Sequence, residues 1–148
     1  MPINIPDNIL MSVEKPARYT GGEVNSVMKK HSPEIVKFAF CFPDVYEVAM
    51  SHLGGQILYS IINNRDDALC ERIFAPWTDM EKAMRENKIP LFSLETKTAA
   101  IDFDVLGFTL QYEMSYTNIL NMLDLSGIPV ERRNREESHP LICAGAVS

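Results

Sequence analysis

The sequence predicts an α/β fold built on a doubly wound parallel sheet of about five strands, preceded by an irregular N-terminal arm. Short apolar runs rich in β-branched and aromatic residues alternate with segments of helical periodicity. This alternation is typical of parallel strands joined by crossover helices. The first 34 residues contain four prolines and a Gly-Gly pair and show neither periodicity.

We therefore divide the chain into an arm, residues 1–34, and one domain, residues 35–148. A hydrophobic content of 46% is sufficient for one core of ordinary size. The net charge of −6 argues against a nucleic-acid partner, because binding to phosphates requires a basic surface. No apolar run approaches the roughly 20 residues of a membrane helix. The N-terminus lacks the pattern of a secretory signal, so we expect a cytoplasmic protein.

The first strand–helix unit begins with Ile35–Phe42, a near-continuous apolar run typical of a strand covered on both faces. Pro43 ends this strand. Asp44 and Glu47 have the spacing of a capping box, which predicts a helix that runs to about Asn63.

Apolar residues repeat every four positions along this helix and predict the face that packs on the sheet. They are Val45, Ala49, Leu53, Ile57 and Ile61, and Met50, Leu58 and Ile62 beside them widen the apolar face. The pair Gly54-Gly55 costs about 1 kcal/mol per glycine relative to alanine, which predicts a close approach of helix and sheet.

Four more strands complete the predicted sheet. They are Leu69–Ala75, Leu91–Leu94 at an edge, Val105–Leu110 and Leu141–Ala144. Glu71 and Arg72 interrupt the first of these, and a second capping box, Thr78 with Glu81, opens the helix that follows it.

Candidate binding residues follow two of the strands. Ligands of such sheets bind beyond the carboxyl ends of the strands, where the strand order reverses, and we expect strands 35–42 and 105–110 to flank that point. The candidates are Pro43, Asp44 and Tyr46 after the first strand, Gln111, Tyr112, Glu113 and Ser115 after the other, and Gly145 as a wall without a side chain. Helix N-termini and polar side chains there suit a flat or phosphate-bearing ligand. In the alternative interpretation, Asp44 and Ser115 only cap helices and Tyr112 fills the end of the sheet.

No catalytic and no metal-binding residue is predicted. The chain lacks G-x-G-x-x-G, a P-loop, G-x-S-x-G and H-E-x-x-H. Its three cysteines have no metal or cluster spacing, and Cys41 and Cys143 are expected to be small buried hydrophobes. His52 is expected about 12 Å from Asp44 along the helix axis, away from the crevice.

Four longer runs resemble the N-terminal cobalamin-binding-like domain of a bacterial family of radical S-adenosylmethionine (radical SAM) proteins. The runs are KPARYTGGEVN at 15–25, FPDVYEVAMSHLG at 42–54, APWTDM at 75–80 and GFTLQYEMSYTN at 107–118. The similarity extends over nearly the whole chain from Lys15 onward.

The resemblance implies a Rossmann-like, flavodoxin-like fold ahead of a radical SAM domain, whose C-x-x-x-C-x-x-C would hold a [4Fe–4S] cluster and S-adenosylmethionine. That domain is absent here, so the resemblance implies an accessory domain, truncated at its C-terminus, that binds a corrinoid or docks on its catalytic partner. Tyr46 stands where the D-x-H-x-x-G motif of cobalamin domains has its histidine, so no histidine ligation of cobalamin is expected.

Two alternatives remain open from the sequence. One is a structural or protein-interaction module with a ligand-free Rossmann-like fold. The other is a flavodoxin-like binder of a flavin or nucleotide. In addition, an uncovered last strand at Leu141–Ala144 predicts self-association.

Overall fold

A computed structural model of the chain, which describes residues 2–113 and 115–145, contains a parallel sheet of four strands. The strands are β1 (Val36–Phe42), β2 (Ala68–Phe74), β3 (Val105–Thr109) and β4 (Leu141–Gly145). Their order is β2-β1-β3-β4, and every neighbouring pair is parallel. The predicted α/β class is confirmed, and the strand order reverses between β1 and β3 as predicted.

The predicted strand at Leu91–Leu94 is wrong. The segment makes an isolated antiparallel bridge from Phe92 to Ala99 and one backbone hydrogen bond to β2, in which Leu94 N–H donates to the carbonyl of Arg72 at 2.8 Å. The chain then turns back at Lys97, whose φ is 57°, so the Ser93 N–H donates to Thr98 rather than to a strand. The sheet therefore has one strand fewer than predicted.

Six α-helices occur in the described residues. Two lie in the arm, α1 (Asp7–Ser12) and α2 (Ala17–Thr20), and the others are α3 (Tyr46–Met50), α4 (Leu53–Asn63), α5 (Thr78–Asn87) and α6 (Ser115–Leu125). Short 3₁₀ turns occur at Ala100–Asp102 and Arg132–Asn134. No helix among the described residues is long and apolar enough to cross a membrane.

The two faces of the sheet carry separate cores, because side chains alternate along β1. Ala39 and Cys41 belong to the larger core with methionines of α5 and α6. Phe40 and Phe42 belong to the smaller core with Tyr59 of α4. Helices therefore cover both faces of β1, as its continuous apolar run predicts.

The single helix predicted from Asp44 to Asn63 is two helices, since the backbone breaks at Ser51 and His52. His52 has extended geometry, and its Nδ1 accepts a hydrogen bond from Gly55 N–H at 3.0 Å. Ala49 is buried, and Leu58 and Ile62 pack against the smaller core, as predicted. The new helix start turns a different face to the sheet, so the central part of the predicted stripe is wrong. Its residues Leu53, Ile57 and Ile61 are 67%, 50% and 56% exposed.

The buried face of α4 instead carries Gly55, Tyr59 and Asn63. A Cβ on Gly55 would lie 2.9 Å from Cε1 of the buried Phe40 ring. The close approach predicted from the glycine pair is therefore confirmed at Gly55.

Neither predicted capping box forms. The N-cap residues of α3 and α5 are Val45 and Trp77, and neither of these side chains makes a capping hydrogen bond. Glu47 instead pairs with Arg18 of the arm at 2.9 Å. That ion pair holds the pKa of the Glu47 carboxyl below its ordinary value.

Polar side chains cover the free edge of β2. Asn63 accepts from the Cys70 N–H at 2.9 Å and donates to the Cys70 carbonyl at 3.0 Å. Two residues further along β2, Glu95 accepts from the Arg72 N–H at 2.9 Å and from the Arg72 Nε at 2.8 Å. These side chains satisfy the backbone groups that a further strand would otherwise pair, and they close the edge to other chains.

At the other edge, β4 is largely exposed. Leu141 is 66% exposed, and Cys143 is exposed rather than buried, which corrects the prediction for that cysteine. Cys41 and Cys70 are buried, and burial raises the pKa of the Cys70 thiol to about 12. Self-association through β4 stays a prediction.

The Arg72–Glu95 pair generates a prediction for stability. Glu95→Gln is expected to lower the free energy of unfolding by about 3–5 kcal/mol, because it leaves the buried Arg72 charge without its carboxylate. Denaturant unfolding followed by circular dichroism measures the loss.

Asp67→Asn is the matched control, since Arg65 and Asp67 form an ion pair of similar length with side chains 61% and 63% exposed. We expect this substitution to have little effect on stability, because solvent screens an exposed ion pair. Equal, small effects of the two substitutions would contradict a structural role for the buried pair.

Candidate functional site

The strand-order reversal brings the turn after β1 against the turn after β3. The Tyr112 hydroxyl donates to Asp44 Oδ2 at 3.2 Å. Asn118, in the second turn of α6, donates to the Pro43 carbonyl at 2.9 Å. The two turns therefore lie side by side at the carboxyl edge of the sheet, and we call the surface formed by Pro43, Asp44, Gln111, Tyr112 and Asn118 the rim crevice.

Asp44 organises the rim crevice. Its Oδ1 accepts from the Val45 N–H at 2.7 Å, and its carbonyl accepts from Ala75 N–H, which follows β2, at 3.0 Å. The Asp44 charge, together with the hydrogen bond, raises the pKa of Tyr112, because a negative neighbour disfavours tyrosinate.

The other candidates after β3 and β4 differ in exposure. The side chains of Gln111, Tyr112 and Glu113 are exposed, whereas Ser115 is buried at the start of α6. Gly145 is exposed, and its carbonyl accepts from the Leu110 N–H at 2.8 Å. A Cβ on Gly145 would meet no atom of the described residues within 4 Å.

Tyr46 points to a different part of the molecule. Its hydroxyl donates to Glu23 of the arm at 2.5 Å, and its ring packs edge-on against Phe74 at 5.9 Å. Burial and the Glu23 carboxylate raise the pKa of Tyr46 to about 12. The structure therefore places Tyr46 on the β2 side, where it helps to fasten the arm.

His52 lies nearer the end of β1 than a continuous helix would allow. Because the helix breaks before α4, the imidazole packs against the ring of Phe42, the last residue of β1, with 5.1 Å between centroids. Its Nδ1 accepts the Gly55 N–H, so a neutral ring carries its proton on Nε2. A metal bound at Nδ1 would break the hydrogen bond from Gly55, and a metal bound at Nε2 would displace the proton from that nitrogen.

A small cavity of about 170 Å³ extends from Asp44 toward the N-terminus of α5. Its lining includes Trp77, Thr78, Asn118 and Asn121, which the sequence analysis did not select. Asn118 and Asn121 are three positions apart, which places them on the same face of α6. This spacing is the sequence feature from which they could have been selected.

A further unselected residue is Thr109, the last residue of β3. It is 1% exposed, and its hydroxyl has no hydrogen-bond partner among the described residues. A buried polar atom without a partner lowers the stability of the fold by about 1–3 kcal/mol, so such an atom is uncommon in a native structure. Thr109 lies at a strand end next to the candidate site, where a ligand could supply the missing hydrogen bond.

A comparison with protein families gives one match. A family model described as radical SAM proteins, N-terminal, matches residues 54–148, which is more than half of the chain. The matched part begins in α4 and includes Gln111, Tyr112 and Gly145, whereas Asp44 and Tyr46 precede it. No curated protein and no solved structure matches the chain.

The Asp44–Tyr112 contact generates a prediction for acid–base behaviour. Asp44→Asn is expected to lower the pKa of Tyr112 toward the ordinary tyrosine value, because the substitution removes the charge that disfavours tyrosinate. A pH titration of the ¹³Cζ resonances of labelled tyrosine measures this pKa. Asp66→Asn, in an exposed loop, is expected to leave it unchanged. A Tyr112 pKa that is identical in Asp44→Asn and the wild type would disprove the contact.

Proposed function

Because the chain belongs to the family of N-terminal domains of radical SAM proteins, we propose that it is an accessory domain whose rim crevice holds the polar tail of a corrinoid. The observation that carries the proposal is the contact between Asp44 and Tyr112 at the point where the strand order reverses. In open parallel sheets this point is the usual ligand position.

The chemistry of the rim crevice suits such a tail. Asn118 offers an amide N–H, and Tyr112 offers an acceptor oxygen because its O–H donates to Asp44. Gln111 offers both a donor and an acceptor, and Asp44 offers a carboxylate. These groups complement the amide and hydroxyl groups of a corrinoid side arm. The adjoining cavity of about 170 Å³ is smaller than the roughly 300–1,000 Å³ of drug-sized pockets, so it supports an arm rather than a macrocycle.

A bound corrinoid would contribute the chemistry of its cobalt, and this domain would contribute binding and orientation. The hydrogen bond at Nδ1 of His52 argues against this histidine as a ligand to the cobalt. The [4Fe–4S] cluster and S-adenosylmethionine would belong to the catalytic domain of the parent protein, and that domain is the proposed partner.

A second candidate function is a ligand-free interaction module. Three aromatic side chains at the same edge are about half exposed: Trp77 at 46%, Tyr112 at 52% and Tyr116 at 53%. Tyrosine and tryptophan are enriched in the centres of protein interfaces. In this alternative the edge would dock directly on the catalytic domain.

Titration of the purified chain with hydroxocobalamin, followed by calorimetry and the visible spectrum, tests the proposal. Saturable binding is expected, and Tyr112→Ala and Gln111→Ala should each weaken it about fivefold through the loss of one hydrogen bond. Tyr116→Ala removes an equally exposed tyrosine and should leave the affinity unchanged.

The outcomes separate the candidates. Neither heat nor a spectral change with hydroxocobalamin would contradict corrinoid binding and favour the interaction module. Saturable binding of flavin mononucleotide, titrated in parallel, with no response to hydroxocobalamin would instead favour a flavodoxin-like binder.

A further inference from the structure

A second cavity lies away from the rim crevice, on the face of the sheet that α4 covers. It measures about 430 Å³, within the roughly 300–1,000 Å³ typical of small-molecule sites. Its walls come from α4, from β1 and β2, and from the arm near Val27. We call it the arm cavity and define it by Val27, Phe40, Met50, Gln56, Tyr59 and Arg72.

Four hydrogen bonds fix the segments that surround the arm cavity. The Tyr59 hydroxyl accepts from the Val27 N–H at 2.8 Å and donates to Glu95 at 2.7 Å, which fixes the arm across the end of the cavity. Asn63 is held against β2 by its two bonds to Cys70. The cavity lies between these fixed segments, and Phe40 contributes to its wall.

Arg72 gives the arm cavity its polar group. The residue is 8% exposed, and its guanidinium lies 4.3 Å from the centroid of the Tyr59 ring. Its Nε donates to Glu95 at 2.8 Å and its Nη2 to Ser26 at 3.0 Å.

The remaining nitrogen of Arg72 has a poor partner. Nη1 donates to the thioether sulfur of Met50 at 3.5 Å. A thioether is a weak acceptor, and a guanidinium carries five N–H donors. A ligand oxygen would therefore replace the sulfur with a gain in hydrogen bonding.

The charges favour a neutral ligand over an anion. Glu95 already compensates Arg72, and the net charge of the chain is −6. An anion at Arg72 would lie near the buried Glu95 carboxylate, and the two like charges would repel each other. A carbonyl oxygen accepts from Nη1 without that penalty.

The rest of the lining favours a flat ring. Phe40, Tyr59 and Phe74 provide aromatic surface, and Asn25, Gln56, Ser60 and Asn64 provide amide and hydroxyl groups around it. Aromatic side chains stack on planar heterocycles, and amides read the donors and acceptors at their edges.

We infer that the arm cavity is a binding site for a neutral, planar heterocycle with a ring carbonyl, of the kind found in oxopurines. The carbonyl accepts from Arg72 Nη1, the ring packs against Phe40 and Tyr59, and the amides around the opening contact the ring edge. This site is separate from the rim crevice and does not depend on corrinoid binding.

Two bases that differ at one group test the inference. Hypoxanthine has a carbonyl where adenine has an amino group, so only hypoxanthine offers Arg72 an acceptor at that position. Calorimetric titration of the whole chain is expected to show saturable binding of hypoxanthine and at least about tenfold weaker binding of adenine. Undetectable binding of hypoxanthine at its solubility limit, or equal affinity for the two bases, would overturn the inference.

A substitution that fills the cavity tests its location. Ser60→Trp places an indole at the exposed opening and is expected to weaken hypoxanthine binding at least about tenfold. Ser138→Trp makes the same change at an exposed serine of a distant loop and is expected to preserve the affinity. Unchanged binding in Ser60→Trp with a wild-type circular dichroism spectrum would also overturn the inference. The comparison of the two bases needs no variant, so it decides the matter even if Ser60→Trp fails to fold.

Discussion

The position of β1 between β2 and β3 is the constraint on which the rest of the structure depends. Connections from β1 to β2 and from β2 to β3 run in opposite directions along the sheet. Right-handed crossovers must therefore place α4 on one face and α5 on the other. Both faces of β1 are buried in consequence, and the turns after β1 and β3 become neighbours. The Asp44–Tyr112 hydrogen bond is the local result of this topology.

The free edge of β2 provides the second organising feature. Asn63 and Glu95 bind the backbone N–H groups of β2 with which another strand would pair. Lys29 of the arm donates to the Ala68 carbonyl at 2.9 Å. The arm is thereby fixed across this edge, because its Ser26 and Val27 bind Arg72 and Tyr59. A polar edge of this kind prevents pairing with other chains while leaving room for the arm cavity beneath α4.

The sequence predicted the features that follow from local periodicity. The apolar runs located all four strands within one or two residues, and their alternation with helices predicted the reversal beside β1. The sequence could not predict the helix break at His52, because a histidine that caps a helix and a histidine inside a helix occur in the same sequence pattern. The burial of Glu71 and Arg72 also escaped prediction, since the side-chain hydrogen-bond partners of Arg72 lie 22 or more residues away. In the candidate site, Asp44 and Tyr112 were predicted from strand ends, whereas Asn118 depends on how α6 packs.

Hydrogen–deuterium exchange of the chain with and without hydroxocobalamin tests most directly whether the rim crevice is the binding face. The account predicts slower exchange in the presence of the corrinoid for peptides that cover residues 42–46 and 109–113, with little change in β4 and in the arm. Unchanged exchange in both turns, or protection confined to other segments, would contradict it.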